Sequence, residues 1–367
     1  RQIRIALATT VEIAAARAPI AGLTLVIPMS LGDRPAYPRD SGRDVSDRPR
    51  IELRRLNAQD FEAALVNLGV ESSDASRLTS TVGRSWSVYR RVRAANPAIS
   101  RPNWMSDSAA RCLVAVMLVG CWNGDKAGDR ACLEAIFDGT YAQLEAQLRH
   151  MASVNDSPVL QIGAVWKAKA PLELLYLFAE KITSTELQSF FRLAEAVLSQ
   201  PDPSLELEAD KRWTAAIYGK VRQESGLAIN SIVDSVVKLR VYAEGHRNSP
   251  DAELIMSSVD KLVRNLLRDA DAQRWLSVSS VLLELAEASP EVFLDELERS
   301  LDSHNAPVLS LLTETESSDL FSRAWHTHLL WALEALAWYP ARLPRIAEIL
   351  SSLVSIPIKG NWGNTPR

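Results

Sequence analysis

Apolar residues at helical spacing fill this sequence from Asn57 onward, and that pattern limits the possible folds more than any other feature. Apolar segments of about 11–20 residues follow one another with short breaks, within the usual length of globular helices. Helix starts are marked by the N-cap residue Asn57 and by two capping boxes, Thr140 with Gln143 and Thr183 with Glu186. No fixed-period repeat of a known type links the segments. The sequence therefore predicts a mainly α fold that ends in an α-helical array over residues 171–367.

Strand-forming sequence is concentrated near the N-terminus. Residues 23–29 (LTLVIPM) form a continuous β-prone run, which is typical of a strand buried on both faces of a parallel sheet. A helical pattern over residues 2–17 precedes this run, and an alternating segment over residues 51–56 predicts a further strand. We interpret residues 1–56 as the α/β edge of a larger domain. Because the pattern starts at Arg1 without its first half, we expect the chain to be part of a longer polypeptide.

A second strand-forming region predicts a winged helix. Residues 158–162 and 165–168 flank Gly163-Ala164 and are typical of a short β-hairpin. Three helices are predicted before it, over residues 107–121, 126–137 and 141–154. Three helices followed by a hairpin is the order of a winged helix, so we assign this fold to residues 104–170. A helical segment over residues 57–103 joins it to the N-terminal α/β portion.

The charge balance argues against a nucleic-acid binder. With 41 basic and 45 acidic residues, the formal net charge is −4, whereas phosphate-dominated binding needs a positive surface. The third predicted helix of the winged helix offers only Arg149 and His150 against Glu145. We therefore expect the wing to face another protein or another part of the same chain, and nucleic acid is not an expected partner.

The cysteines and the longest apolar run indicate the compartment. Cys112, Cys121 and Cys132 lie in apolar, helix-like sequence and do not form a disulfide framework, which indicates a reducing environment. The apolar run over residues 112–122 is shorter than the roughly 20 residues that a membrane span needs. The chain also opens without a secretion signal. We predict a cytoplasmic protein with no membrane partner.

Known catalytic motifs are absent from the sequence. It contains no P-loop, HExxH, paired CxxC, GxSxG or GxGxxG sequence. Residues 123–129 (NGDKAGD) are interpreted as a turn between helices, because they lack the ligand positions of a calcium or phosphate loop. His326 and His328 are two positions apart, which places them on different faces of a helix and prevents a shared metal. We therefore assign no catalytic residue and no metal ligand.

A tryptophan-rich helix is predicted near the C-terminus. Trp325, Trp331 and Trp338 add to a leucine stripe formed by Leu329, Leu333 and Leu336. A helix that is apolar nearly all round is usually buried. We interpret these tryptophans as core residues, with a binding groove as the alternative.

One stretch of sequence carries a family resemblance. Residues 51–61 (IELRRLNAQDF) match the pattern I-x-L-x-x-L-(S/N)-x-x-(D/E)-(F/A), which follows the sensor strand of STAND-type P-loop ATPases. The order around it resembles the second half of these NACHT- and NB-ARC-related proteins: a buried strand ending at Ser30, a long loop, a second strand, a helical pair around Gly83-Arg84-Ser85 and a winged helix. Residues 329–364 are similar to a segment of large bacterial STAND-like proteins, some of which are antiphage sensors.

The resemblance implies a nucleotide-controlled switch. Residues 57–103 would be the lid, and the nucleotide contacts would come from Ser30, Gly83, Arg84, Ser85, Lys167 and Lys169. The sequence departs from the family at Ser85, where a proline is expected, and after the wing, where Lys167 and Lys169 stand in place of a histidine. ATP or ADP with Mg²⁺ would belong only to the full-length parent, whose P-loop would precede Arg1. The parent's ATPase activity stays open, and the chain alone is predicted to hydrolyse no nucleotide.

Two functions remain open at the level of sequence. The first is the regulatory and sensor part of a STAND-type ATPase, a nucleotide-gated oligomerising switch with a role in antiviral defence. The second is a helical interaction scaffold with no nucleotide role. In both, the array would bind a protein ligand or self-associate, because aromatic and arginine residues dominate interface energetics. The anchors predicted from their charged neighbours are Trp213, Tyr218, Arg274 and Trp275, and the alternative is that each tryptophan closes the core between helices.

Overall fold

A computed structural model describes residues 4–7, 23–26, 56–82, 86–94, 101–106, 108–154, 157–249, 251–314 and 324–356. The chain divides into two compact units, residues 1–55 and 56–367. The described residues are mainly helical, as the sequence predicts. None of their helices is long and apolar enough to cross a membrane.

The described part of the first unit is a pair of parallel strands. Strand β1 (Arg4–Leu7) pairs with β2 (Leu23–Val26) from Arg4 opposite Leu23 to Leu7 opposite Val26. The strand predicted over residues 23–29 is confirmed within β2. The helix predicted over residues 2–17 is wrong at β1, because strand pairing overrides a weak local helix preference. The strand predicted over residues 51–56 lies outside the described residues except for Leu56, which is not in a strand.

The second unit begins with three helices, α1 (Ala58–Asn67), α2 (Ser72–Thr81) and α3 (Trp86–Arg93). Asn57 caps α1 as predicted, because its side-chain oxygen accepts a hydrogen bond from the Asp60 N–H at 2.8 Å. α1 and α2 enclose a small core of their own, formed by Phe61, Leu65, Val70, Ala75, Leu78 and Val82. An ion pair between Arg91 of α3 and Glu173 links this region to the helices that follow.

A small sheet lies among the next helices. The order is α4 (Leu113–Val119), β3 (Cys121–Asn123), α5 (Ala127–Glu134), α6 (Tyr141–Ser153), β4 (Val159–Ile162) and β5 (Val165–Ala168). The antiparallel sheet has the strand order β3-β5-β4, which confirms the predicted hairpin. The capping box of Thr140 and Gln143 is also confirmed. Gly120 ends α4 at a φ of 80°, so Cys121, the last residue of the helix predicted over residues 107–121, instead begins strand β3.

The turn predicted over residues 123–129 is wrong from residue 127, where α5 begins, and the first turn of α5 makes long-range contacts. Asp129 is fully buried and accepts hydrogen bonds from the Asn123 N–H at 2.7 Å, the Ser225 N–H at 2.6 Å and the Ser225 hydroxyl at 2.5 Å. A Cβ added at Gly128 would lie 2.5 Å from the carbonyl carbon of Gln223. The two chain segments therefore touch through their backbones, and a side chain larger than hydrogen does not fit at residue 128.

The remaining helices form the array. Their bounds are α7 Pro171–Phe178, α8 Ser184–Leu198, α9 Gly226–Gly245, α10 Ala252–Leu267, α11 Ala272–Val278, α12 Leu282–Ala288, α13 Pro290–Asp302, α14 Ser310–Thr313, α15 Thr327–Ala337 and α16 Leu343–Val354. Thr183 and Glu186 cap α8 as predicted. One continuous hydrophobic core runs from Trp104 to Leu353. Residues of the predicted winged helix and of the predicted array therefore share a core.

Helix α15 corrects one expectation from the sequence. Trp325, just before it, is buried, but Trp331 is 45% exposed and Trp338 is 81% exposed. The prediction that these two tryptophans lie in the core is therefore wrong. α15 packs against α12 through the side that carries Leu329, Leu333 and Leu336. Trp331 and Trp338 lie seven positions apart on the opposite side.

Candidate functional site

Four large apolar side chains stand exposed in one short segment between α8 and α9. Trp213 is 64% exposed, Ile217 81%, Tyr218 55% and Val221 51%. We call these four side chains the Trp213 surface. Burying one such side chain contributes about 1.5–3 kcal/mol, so exposing four of them in one segment forgoes considerable stability. Exposed apolar groups that cluster in this way mark binding surfaces.

The backbone of this segment is ordered by local turns. A 3-10 helix spans Ala209–Thr214. The N–H of Ile217 then donates to the Thr214 carbonyl at 2.8 Å, and the N–H of Lys220 donates to the Ala215 carbonyl at 2.9 Å. Gly219 takes a φ of 66°, a left-handed conformation that other residues rarely adopt. The turns direct the small Ala215 inward and leave the large side chains in solvent.

Charged contacts hold the two ends of the segment. Arg212 Nη1 lies 2.8 Å from Glu314 Oε1, and Arg212 Nε donates to the Leu207 carbonyl at 3.2 Å. Lys220 forms an ion pair with Glu206. Lys211 Nζ lies 2.6 Å from Glu208 Oε2. This hydrogen bond raises the pKa of Lys211 and lowers the pKa of Glu208. The Trp213 surface is thus fixed by polar contacts at its ends and not by burial of its apolar side chains.

The predicted partner anchors divide into two groups. Trp213 and Tyr218 are exposed, so their expected incomplete burial is confirmed, while partner binding stays a prediction. Trp275 is fully buried, and the prediction that it stands exposed is wrong. Its neighbour Arg274 is half-buried on α11. Successive residues of a helix point about 100° apart, so a charged neighbour does not keep the next side chain in solvent.

Ile217 and Val221 belong to the same surface but are not identified by sequence analysis. Their segment shows neither helical nor alternating spacing, so no apolar face can be assigned to it. The sequence feature that could have identified Ile217 and Val221 is the high number of large apolar residues in a segment without helical or alternating spacing. Residues of that kind have no neighbouring element to cover them.

The residues predicted to contact nucleotide are only partly described. Ser30, Gly83, Arg84 and Ser85 lie outside the described residues. Lys167, within β5, stands opposite Cys121 of β3 and Leu160 of β4. Lys169 follows β5, where its N–H donates to the Pro158 carbonyl at 2.9 Å. Both lysine side chains are exposed, and their nucleotide contact stays a prediction.

The thiols of Cys121 and Cys132 are poor nucleophiles. Burial raises the pKa of Cys132 to about 12, and the nearby carboxylates of Glu224 and Asp129 act in the same direction. Burial also raises the pKa of Cys121. The thiolate is the nucleophilic form, so neither thiol is activated for catalysis.

The described part of the chain contains no group of His, Cys, Asp and Glu side chains that could hold a metal ion. No protein-family model, curated protein or solved structure matches this chain. The Trp213 surface combines two aromatic and two aliphatic exposed side chains with ion pairs at both ends of its segment.

Proposed function

We propose that this chain is the sensor part of a STAND-type signalling ATPase and that it binds a protein partner through the Trp213 surface. The observation that carries the proposal is the exposure of Trp213, Ile217, Tyr218 and Val221 on an ordered segment. Tryptophan and tyrosine are enriched among the residues that dominate binding energy. An ordered segment also loses little conformational freedom when a partner binds.

Element order supports the signalling part of the proposal. The order α4-β3-α5-α6-β4-β5, with the sheet order β3-β5-β4, is compatible with the proposed winged helix. The parallel pair β1-β2 is compatible with the edge of a P-loop domain. In this proposal the full-length parent holds ATP or ADP, and Lys167 and Lys169 supply positive charge. Oligomerisation and antiviral defence belong to the same proposal through the family resemblance.

A helical scaffold with no nucleotide role is the second candidate. It is favoured by the continuous core from Trp104 to Leu353, which packs the winged-helix order and the array into one body. A switch needs an element with two arrangements, whereas a shared core favours one. Nucleotide binding by the full-length parent separates the two candidates: loss of binding on Lys167→Ala favours the switch, and a parent that binds no nucleotide favours the scaffold.

Affinity capture tests the partner surface. Chain carrying Trp213→Ala, Ile217→Ser and Tyr218→Ala is compared with the unchanged chain. Trp338→Ala serves as the control, because Trp338 lies outside the Trp213 surface and is more exposed than Trp213. We expect a partner that the unchanged chain and the control retain and that the triple variant loses. Size-exclusion chromatography of the same variants shows whether that partner is a second copy. Equal retention by all three proteins would rule out the Trp213 surface.

A further inference from the structure

Strand β4 is an open edge of the small sheet. In the order β3-β5-β4 it pairs with β5, and no other strand of the described residues pairs with its outer side. An open edge presents N–H and C=O groups that can pair with another chain. Proteins commonly protect such edges with a charge, a proline or a bulge. Residues 159–162 (VLQI) contain no charge and no proline, and their register with β5 is continuous.

The register of the hairpin shows which backbone groups of β4 are open. Ile162 and Val165 are the closing pair of a two-residue hairpin, so they are hydrogen-bonded to each other. Hydrogen-bonded and non-hydrogen-bonded pairs alternate, so the N–H and C=O of Gln161 point away from β5. At Val159 the Ser157 Oγ accepts from the N–H at 3.2 Å and donates to the C=O at 2.7 Å. The open donor and acceptor of β4 therefore lie at Gln161.

Two apolar side chains flank this open backbone pair. Leu160 is 44% exposed and Ile162 is 68% exposed. Alternate residues of a strand share a face, so both side chains stand on the same face of the sheet, one on each side of Gln161. An exposed apolar edge strand is a site at which a second strand adds to a sheet.

The arrangement around Gln161 is self-complementary. A twofold axis at Gln161 pairs two β4 strands antiparallel, and the Gln161 N–H of each copy then donates to the Gln161 C=O of the other. The same axis sets Leu160 of one copy opposite Ile162 of the other, so four exposed side chains cover one another on one face. The chemistry of this edge therefore fits its own copy.

The opposite face of β4 is compatible with the same twofold axis. Gln161 Nε2 donates to the Gly163 carbonyl at 3.2 Å, and no described residue donates to its Oε1. Helix α6 packs against β4, and its residues Glu145 and Arg149 line an open cavity of about 730 Å³ together with Gln161. A twofold axis reverses the order of these two charges, so the Arg149 end of one α6 lies toward the Glu145 end of the other.

We infer that β4 pairs antiparallel with β4 of a second copy, centred on Gln161, and joins the two three-stranded sheets into one. The Lys167 side chains of the two copies stand on β5, three strand spacings or about 14 Å apart. That distance exceeds the Debye length of about 8 Å at physiological salt, so these like charges do not oppose pairing. The inference does not depend on the proposed protein partner, because β4 shares no residue with the Trp213 surface.

Sedimentation equilibrium of the whole chain across a range of concentrations tests the inference. We expect the unchanged chain to form a dimer. Ile162→Lys should raise the dissociation constant tenfold or more, because pairing sets the new charge against the apolar Leu160 of the second copy. Val241→Lys is the matched control, because Val241 is also exposed but lies on α9 and not on the sheet. The triple variant of the Trp213 surface should keep the dimer, so the two proposals can fail separately.

A second variant removes the backbone donor alone. Gln161→Pro deletes the N–H that points away from β5, so the hairpin of the single chain keeps all its hydrogen bonds. The dimer loses both hydrogen bonds at its centre, and we expect its dissociation constant to rise about tenfold. If circular dichroism shows that Gln161→Pro does not fold, Ile162→Lys decides, because the Ile162 side chain is exposed in the single chain.

Cross-linking checks the register of the two strands. Gln161→Cys places one thiol on each copy with Cα atoms about 5.5 Å apart, within the range that a disulfide spans. We expect mild oxidation to join the two copies, whereas the control Lys167→Cys sets its thiols about 14 Å apart. A monomeric unchanged chain would leave β4 to a strand of another protein and overturn the inference. It is also overturned if Ile162→Lys dimerises like the unchanged chain, or if Gln161→Cys cross-links no more readily than Lys167→Cys.

Discussion

Asp129 connects two parts of the chain that are distant in sequence. Its buried carboxylate takes three hydrogen bonds, one from Asn123 and two from Ser225. Hydrogen bonds to a charged group are the strong ones, and their loss leaves buried donors without a partner. A single acidic residue in the first turn of α5 therefore carries more stability than its position in the sequence suggests.

We expect Asp129→Ala to lower the free energy of unfolding by about 3–5 kcal/mol, because three donors lose their acceptor at about 1–3 kcal/mol each. Asp125→Ala is the matched control, because Asp125 is exposed in the turn just before α5 and should change stability by about 0.5 kcal/mol or less. Urea denaturation of both variants measures the difference. Equal losses in the two variants would contradict the role of Asp129.

The raised pKa of Cys132 predicts how the free energy of unfolding changes with pH. Burial raises its pKa to about 12 from the ordinary 9.0. The unfolded chain therefore loses this proton first as the pH rises, and the free energy of unfolding declines between about pH 9 and pH 12. We expect the free energy of unfolding of the Cys132→Ala variant to decline less than that of the unchanged chain. Denaturation across that pH range measures the difference.

Iodoacetamide labelling at pH 8 with mass spectrometry checks the same thiol directly. Cys132 should stay unmodified in the folded chain and react in denaturant, because the thiolate is the reactive form and the folded chain buries the thiol. Labelling of Cys132 at equal rates in both states would show that the thiol is accessible.

At the scale of the element, the segment over residues 209–221 and helix α11 place their tryptophans in opposite environments. We expect Trp213→Ala to change the free energy of unfolding by less than about 1 kcal/mol, because the ring is already in solvent. Trp275→Ala should cost about 3–5 kcal/mol, because it removes a fully buried ring. Thermal and urea unfolding compare the two variants. A sharp loss on Trp213→Ala would assign that ring to the core and not to a partner.

Elements whose signals are local could be predicted from the sequence. The caps at Asn57, Thr140 and Thr183 and the hairpin around Gly163 each depend on a few adjacent residues, and all are confirmed. Strands β1 and β3 could not be predicted, because each is short and becomes a strand only by pairing with sequence further along. Secondary structure that depends on a distant partner leaves little trace in its own residues.

The candidate sites follow the same division. The exposure of Trp213 could be inferred from its charged neighbours. The inference held because no helix covers the segment that contains Trp213. The same reasoning failed at Trp275, where a helix turns the next side chain inward. A cleft that both Lys126 and Glu224 line could not be predicted, because these residues are far apart in sequence.

At the scale of the whole molecule, the two hydrophobic cores differ in size. The core of α1 and α2 has six buried members, from Phe61 to Val82, whereas the main core runs from Trp104 to Leu353. Local opening costs least where few apolar contacts hold an element. We expect amide hydrogens of α1 and α2 to exchange well before those of α9 and α12, as measured by hydrogen exchange with mass spectrometry. Exchange of both regions at one rate would instead indicate a single cooperative unit.

The contact between Asp129 and Ser225 also has a consequence for synthesis of the chain. The two residues are 96 positions apart, and chains are made at about 5–20 residues per second. Asp129 therefore leaves the ribosome about 5–20 s before Ser225 can donate to it. During that interval Asp129 must stay hydrated, and the face that later packs against α9 stays open to chaperones. Folding of the region around Asp129 is therefore completed only after α9 has been synthesised.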